Sequence, residues 1–156
     1  MHSKIAALEY QLPAGVLTNA AIEADFPEWK AAKVEKKVGI RQRHIAAPAE
    51  TSQDLAVAAA EKLLAYTYPE SVDFLLFCTQ SPDQLLPTSA CEIQRRLGLR
   101  QDIGALDFNL GCSGYVYGLA LAKSLVNSGF CRNVLLLTGK TYSKFIAADD
   151  VSNRSI

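Results

Sequence analysis

The sequence predicts an α/β fold built on a mostly parallel sheet. Three short runs, at residues 72–78, 103–109 and 133–139, are rich in apolar residues and are typical of strands covered on both faces. Helix-length segments with their own start and stop signals separate them, so strand and helix alternate three times. The 156 residues, 49% hydrophobic and 21% charged, suit one globular domain.

The first part of the chain predicts a strand, a short helix and a charged segment. Residues 5–12 have the pattern of a first strand. Asn19 caps a short helix over residues 20–25, and the charged segment covers residues 28–37. Residues 39–45 predict a strand or an extended loop.

Two later helices carry clear start signals. Thr51 and Asp54 resemble a capping box, which opens an alanine-rich helix after residue 51. Thr88 or Ser89 caps the next helix, and Gly98 ends it. Each of these helices stands next to one of the predicted buried strands, as a parallel sheet requires.

The last predicted helix, over residues 115–127, is apolar on nearly every side. Such a helix is normally buried on nearly every side, whereas a single sheet covers only one of its faces. We therefore expect another layer or another chain to cover the rest. The chain stops at Ile156, where a further apolar stretch could begin, which predicts a protein cut in mid-fold.

Composition and charge exclude several classes of partner. Sixteen basic residues balance sixteen acidic ones, so no overall field favours nucleic acid or an anionic membrane. No apolar stretch approaches the roughly 20 residues that span a bilayer, and the N-terminus lacks the pattern of a signal peptide. We therefore expect a cytoplasmic protein without nucleic-acid or membrane partners.

Cysteine and histidine spacing argues against a metal site. The chain has four cysteines and two histidines: Cys78, Cys91, Cys112, Cys131, His2 and His44. The cysteines form no CxxC pair, so a zinc site or a thioredoxin-type motif is not indicated. In a reducing cytosol we expect free thiols.

Cys112 is the strongest candidate for a catalytic residue. It follows the strand at residues 103–109, lies between Gly111 and Gly114, and precedes a helix. A thiol at the first turn of a helix faces unpaired backbone N–H groups and the positive end of the helix dipole, which favour the thiolate. The glycines leave room for a tight turn and a close substrate. The alternative is a small hydrophobic core residue, as for any free cysteine.

Four segments together carry a family resemblance. They are residues 39–46 (GIRQRHIA), 86–94 (LPTSACEIQ), 107–115 (DFNLGCSGY) and 133–139 (NVLLLTG). In this order and at these spacings the chain resembles β-ketoacyl-acyl-carrier-protein synthase III and its relatives in the thiolase superfamily. The similarity covers essentially the whole chain, and Cys112 falls on the family's nucleophile.

The resemblance implies a fold of two similar α/β halves packed around buried central helices, usually in a homodimer. Residues 1–156 would then be the N-terminal thiolase-like half-domain, cut before its last strand, with the helix after Cys112 buried. The histidine and asparagine that complete the family's active site belong to the other half. His44 matches a structural segment and His2 precedes the first predicted strand, so neither takes that role.

The implied enzyme is an acyltransferase of fatty acid biosynthesis. Cys112 would accept an acyl group from an acyl-CoA, and the N–H of Cys112 would help to bind the oxyanion. With the missing half, the acyl-enzyme would condense, with loss of CO₂, with a malonyl thioester on acyl carrier protein to give a β-ketoacyl product. The coenzyme A thioester is a substrate, and no cofactor is implied.

Four further residues match substrate-binding positions, each with an alternative. Arg154 matches an arginine at the adenine end of coenzyme A, or is a solvated loop residue. Lys37 falls where a phosphate-contacting arginine is common, or on a solvated face. Trp29 lies near the position of an adenine-stacking tryptophan, or packs locally. Leu86 matches a residue that reaches the partner's acyl pocket across the dimer, or packs in the interface.

Two other interpretations stay open. The chain could be a non-catalytic fragment or a partner subunit that supplies only an interface, since the histidine and asparagine are missing. It could also come from a hydroxymethylglutaryl-CoA synthase-like enzyme, which uses a similar cysteine elbow. The segments at residues 39–46 and 86–94 fit synthase III better.

Overall fold

The computed structural model describes residues 3–156, so His2 lies outside the described residues. In chain order the elements are β1 (Gly15–Thr18), α1 (Asn19–Asp25), α2 (Ala31–Val38), β2 (Gln42–Ile45), α3 (Ser52–Leu64), β3 (Phe74–Cys78), α4 (Ser89–Arg96), β4 (Gly104–Phe108), α5 (Gly114–Asn127), β5 (Val134–Thr138) and α6 (Val151–Arg154), with 3₁₀ helices at Pro69–Ser71 and Tyr142–Phe145. Each helix within residues 3–156 is too short or too polar to cross a membrane.

Internal contacts divide the chain into two compact units. The first comprises the N-terminal segment through Gln11 together with Thr51–Lys140, and the second comprises Leu12–Glu50 and Thr141–Ile156. Two units thus lie within the stretch that the sequence predicts as one half-domain. The predicted nucleophile belongs to the first unit.

A parallel three-stranded sheet organises the first unit. β3 is its central strand, in the order β4-β3-β5, and both neighbours run parallel to it. Leu76 lies opposite Leu106 on one side and opposite Leu136 on the other. The predicted α/β class with a mostly parallel sheet is confirmed.

The two faces of β3 serve two layers. Leu75 and Phe77 are fully buried and share a core with residues of α3 and α4 such as Ala60 and Ile93. Cys78 points to the other face, where α5 crosses the sheet, because successive side chains of a strand alternate. Helices on both faces explain why β3 is apolar along its whole length.

Helix α5 differs from the predicted helix that is buried nearly all round. Only Gly114 and Gly118 among its residues are buried, whereas Tyr115, Val116 and Tyr117 are exposed. The sheet covers a single face of the helix, on which the two glycines are the buried residues. The other apolar face is open to solvent in the described chain.

The predicted strand at residues 5–12 is wrong. The segment has no regular structure, and Ile5 and Tyr10 are 61% and 67% exposed. Lys62 on α3 donates to the Tyr10 carbonyl over 3.1 Å. A strand needs a neighbour that satisfies its backbone groups, and neither edge of the described sheet pairs with this segment.

The second unit is a two-stranded antiparallel sheet with α1 and α2. β1 pairs with β2 so that Val16 lies opposite His44. Asn19, which the sequence predicts as a cap, is the first residue of α1, and the side chain of Thr18 provides the cap instead. Arg43 on β2 is buried, and its guanidinium donates to Asn19 Oδ1 over 2.5 Å and to the Ser155 carbonyl.

Candidate active site

Cys112 lies in a short turn between β4 and α5. β4 ends at Phe108 and α5 begins at Gly114, two residues after the thiol. The Gly114 N–H donates to the Gly111 carbonyl over 2.9 Å, which closes the turn around Cys112. Cys112 is a free, exposed cysteine. The thiol therefore precedes the first turn of the helix, whereas the sequence predicts a thiol within that turn.

The start of α5 presents unpaired donors beside this turn. Ser113, the residue before the helix, makes no side-chain capping bond. The N–H groups of Tyr115 and Val116 have no acceptor among residues 3–156. Such donors and the helix dipole give this end of α5 a partial positive charge. The arrangement favours a negatively charged group bound beside Cys112.

Residues at the end of β3 contact the turn and hold it by hydrogen bonds. The Thr79 N–H donates to the Phe108 carbonyl over 3.2 Å, and the buried Cys78 thiol donates to the Leu110 carbonyl over 3.5 Å. Cys78 Sγ also packs against Gly114 so closely that a Cβ at Gly114 would collide with it. Glycine is therefore required at residue 114 by the space available.

Asp107 connects the strand before Cys112 to a different helix. Its carboxylate accepts the backbone N–H groups of Ser89 over 2.6 Å and of Ala90 over 2.5 Å, at the start of α4. Thr88, the capping residue of α4 by position, makes no capping bond with its side chain. Sequence reasoning missed this role of Asp107, although a single acid in a largely apolar strand was a usable signal.

Leu86 lies on the loop between β3 and α4, in the first unit. Leu85 and Leu86 are 87% and 82% exposed, more than any other large hydrophobic residue of the described chain. Two adjacent leucines exposed to this extent are costly in water unless something else covers them. The loop that carries them leaves the same edge of the sheet as the Cys112 turn.

In the second unit Trp29 contacts Phe26 through its backbone, and Arg154 contacts Phe26 through its side chain. The Trp29 N–H donates to the Phe26 carbonyl over 2.9 Å, and the Arg154 guanidinium lies over the Phe26 ring, 5.6 Å from its centroid. Arg154 also pairs with Asp25 over 3.6 Å and donates to the Ala148 carbonyl over 2.8 Å. Arg154 is therefore held by its own unit and is not a free loop arginine.

Lys37 lies in the last turn of α2, also in the second unit, and is exposed. The Lys37 ammonium forms no ion pair with a residue of 3–156, so it is available to an anion. His44 bonds through Nδ1 to the Pro13 carbonyl over 2.7 Å. Within residues 3–156 no three His, Cys, Asp or Glu side chains are grouped as they would be around a metal ion.

Comparison with known proteins finds β-ketoacyl-acyl-carrier-protein synthase III proteins among both the curated relatives and the solved structures. The family described as 3-Oxoacyl-[acyl-carrier-protein (ACP)] synthase III matches residues 106–156, which include Cys112. A β-ketoacyl-[acyl-carrier-protein] synthase III of Caldanaerobacter subterraneus is 38% identical over 140 residues, which cover 86% of this chain and 41% of that protein. One of Thiobacillus denitrificans is 36% identical and is covered to 48%. The chain spans about half the length of the curated relatives it matches.

Solved structures agree with the sequence matches. A 3-oxoacyl-(acyl-carrier-protein) synthase III structure superimposes with a TM-score of 0.94 at 54% identity, over 97% of this chain and 46% of that one. The enzyme of Pseudomonas aeruginosa gives a TM-score of 0.86 at 33% identity, over 96% of this chain and 46% of that one. The fold is therefore thiolase-like, as the sequence predicts, and over its length the chain is similar to the first part of β-ketoacyl-acyl-carrier-protein synthase III proteins.

Proposed function

We propose that this chain is the acyl-accepting part of a β-ketoacyl-acyl-carrier-protein synthase III. The observation that carries the proposal is the exposed Cys112 thiol in a glycine-flanked turn, next to unpaired N–H groups at the start of α5. A nucleophile needs access, and the anion that forms in acyl transfer needs donors; the exposure of Cys112 and the unpaired N–H groups support the proposal on both points. The names of the matched relatives support the same reaction.

The first half-reaction is a transfer of the acyl group from sulfur to sulfur. The Cys112 thiolate attacks the carbonyl carbon of an acyl-CoA, and the carbonyl oxygen takes the negative charge. Backbone N–H groups of the turn, including that of Cys112, are the donors available to this oxyanion. The bond to the coenzyme A sulfur then breaks, coenzyme A leaves as a thiol after protonation, and the acyl group remains on Cys112.

The second half-reaction requires the longer protein. A malonyl thioester on acyl carrier protein loses CO₂, and the resulting enolate carbon attacks the acyl-Cys112 carbonyl. The Cys112 thiolate leaves and the β-ketoacyl product remains on the carrier protein. The histidine and asparagine that stabilise the enolate in the family belong, by the resemblance, to the half outside residues 1–156.

Four residues are proposed to bind coenzyme A or the acyl chain. Lys37, unpaired and exposed, supplies a positive charge to a phosphate. Trp29 and Arg154 supply an aromatic surface and a cation at the adenine end, and the position of both residues beside Phe26 in the second unit is compatible with this assignment. Leu86 supplies an apolar contact to an acyl pocket across a homodimer, which its exposure supports.

The proposed setting follows from the reaction. The enzyme acts in the cytoplasm, in fatty acid biosynthesis, as a homodimer that uses acyl-CoA and acyl carrier protein. A thiolate and an activated thioester supply the nucleophile and the leaving group, so the proposed acyl transfer calls for no metal or other cofactor.

The proposal is tested by the intact mass of the protein after incubation with a panel of acyl-CoAs. We expect an added acyl mass that is lost in Cys112→Ala. Cys91→Ala is the matched control, because Cys91 is the other exposed thiol of the described chain. The control variant should keep the adduct.

Two other results would contradict the proposal in different ways. An adduct that survives Cys112→Ala would place the acyl group elsewhere. No adduct, with Cys112 still alkylated by iodoacetamide, would favour the alternative of a non-catalytic fragment or interface subunit. The large exposed apolar face of α5 is the observation that favours an interface role.

A further inference from the structure

The carboxylate of Asp107 on β4 caps helix α4. Asp107 Oδ2 and Oδ1 accept the first two N–H groups of α4, from Ser89 and Ala90. The hydroxyl of Thr88, which stands at the capping position, donates instead to Cys91 Sγ over 3.4 Å. A two-oxygen, charge-assisted contact at the positive end of a helix is among the stronger hydrogen-bond arrangements in proteins. Asp107 thus fixes the start of α4 to β4.

The loop from Thr79 to Thr88 is fixed at its other end as well. The Thr79 N–H binds the Phe108 carbonyl, and the Ser81 carbonyl accepts the buried Ser52 hydroxyl over 2.7 Å. The Gln80 side-chain amide lies 3.3 Å from where a Cβ on Gly111 would be. The loop is therefore attached to β4 on both sides and lies against the residue that precedes Cys112.

We propose that Asp107 is a positioning residue for Cys112. By holding the start of α4, it keeps the loop of residues 79–88 against the turn of residues 109–113. The turn lies outside regular structure, since β4 ends at Phe108 and α5 begins at Gly114. The loop therefore adds to the hydrogen bonds that the Leu110 and Gly111 carbonyls accept. This inference rests on the proposed function when it is tested by acylation of Cys112. A second test, by hydrogen exchange, does not depend on that function.

The kinetic test compares Asp107→Asn and Asp107→Ala with the unmodified chain. Asparagine keeps one acceptor oxygen and loses the charge, whereas alanine loses both. We expect the rate constant for acylation of Cys112 at saturating acyl-CoA to fall about tenfold or more in Asp107→Ala, since small misplacements of reacting groups have effects of this size. Asp107→Asn should be intermediate. The half-saturating acyl-CoA concentration should change less than about threefold, because a positioning effect falls on the chemical step.

The second readout is hydrogen exchange measured by mass spectrometry. Loss of the Asp107 contacts should accelerate exchange at residues 88–91, and also at residues 109–114 if the loop supports the turn. Asp102→Asn is the matched control, because Asp102 is an acid of the same chain segment that is 77% exposed. The control should change neither readout.

Each outcome decides the proposal. Faster exchange confined to residues 88–91, with an unchanged acylation rate, would make Asp107 a helix cap only and overturn it. If the unmodified chain accepts no acyl group, the proposed function fails, and exchange at residues 109–114 alone decides the role of Asp107. Should Asp107→Ala fail to fold, Asp107→Asn carries the comparison, with urea unfolding to confirm that it is native.

Discussion

Among single residues, the close packing of Cys78 against Gly114 sets the geometry of the Cys112 turn. The Cys78 thiol is only 2% exposed and lies beneath Gly114, while the Cys112 thiol faces solvent. Two thiols at the same turn, one from β3 and one from the turn itself, thus have opposite accessibility. Of these two thiols only that of Cys112 is accessible from solvent, and Cys78 acts through packing.

We expect Gly114→Ala to destabilise the protein by about 1–3 kcal/mol, the usual size of overpacking, because its Cβ would collide with Cys78 Sγ. Urea unfolding measures the loss, and the alkylation rate of Cys112 should change with it. Adding Cys78→Ala should restore part of the stability, whereas Cys78→Ala alone should not stabilise. A Gly114→Ala variant as stable as the parent would show that the contact is relieved at no cost.

Asp73 makes the stability of the first unit depend on pH. Hydrogen bonds from the backbone N–H groups of Arg132 (2.8 Å) and Asn133 (3.0 Å) hold the pKa of Asp73 below its usual value. A lowered folded-state pKa contributes stability above the unfolded pKa, and this contribution is lost as pH falls through the folded value. Asp73→Asn should therefore destabilise at pH 7 and have less effect at acid pH, as urea unfolding at both pH values would show.

The control for Asp73 is Asp102→Asn, since Asp102 is much more exposed and makes only a 3.4 Å ion pair with Arg100. Its stability should be nearly the same as that of the parent at both pH values. An Asp73→Asn variant with the same loss at acid and neutral pH would contradict the ionic origin of the effect.

Among elements, helix starts illustrate what local sequence determines. Thr51 and Asp54 form the predicted capping box, in which the Thr51 hydroxyl accepts the Asp54 N–H and the Asp54 carboxylate accepts the Thr51 N–H. Thr88 has the same residue type at the same position of α4 and forms no such bond. The same capping residue thus has different roles, since Asp107 accepts the first N–H groups of α4.

This pair allows a matched test. Thr51→Ala should cost about 1 kcal/mol of unfolding free energy, the typical value of a lost cap. Thr88→Ala should cost clearly less, because the carboxylate of Asp107 remains in place. Equal losses of unfolding free energy in the two variants would show that a threonine before a helix stabilises it regardless of whether its side chain makes the capping hydrogen bond.

The sequence predicts elements well where the signal is local. The buried strands β3, β4 and β5 and the helices after Thr51, Thr88 and Gly111 lie where apolar runs and caps place them. The strand at residues 5–12 was wrong because pairing depends on distant partners. The acid in the apolar strand β4 signals a polar contact for Asp107, but the local sequence does not identify its partner, since the cap joins residues 17 and 18 positions apart through the tertiary fold.

For the whole molecule, apolar exposure is the dominant feature. Tyr115, Val116 and Tyr117 on α5 and the pair Leu85 and Leu86 form large exposed hydrophobic surfaces in the first unit. Soluble monomers rarely expose contiguous apolar patches of this kind. The chain by itself should therefore associate or bind hydrophobic dyes.

Val116→Lys should reduce both dye binding and self-association, measured by fluorescence and by light scattering after size exclusion, because it places a charge on the open face of α5. Val16→Lys, at a valine of the second unit that is also exposed, is the control and should have a smaller effect. A stable monomer of the unmodified chain that binds no dye would contradict the expectation.

The position of β3 in the sheet has a consequence for synthesis. The central strand is made first, and its neighbours β4 and β5 emerge later from the ribosome. Until β5 is complete, residues such as Leu75, Leu76 and Phe77, fully buried in the native protein, lack part of their cover. Pairing of parallel strands that are far apart in sequence is slow, so β3 stays unpaired for some time in the nascent chain. We therefore expect chaperones that bind extended apolar segments to bind at residues 72–78.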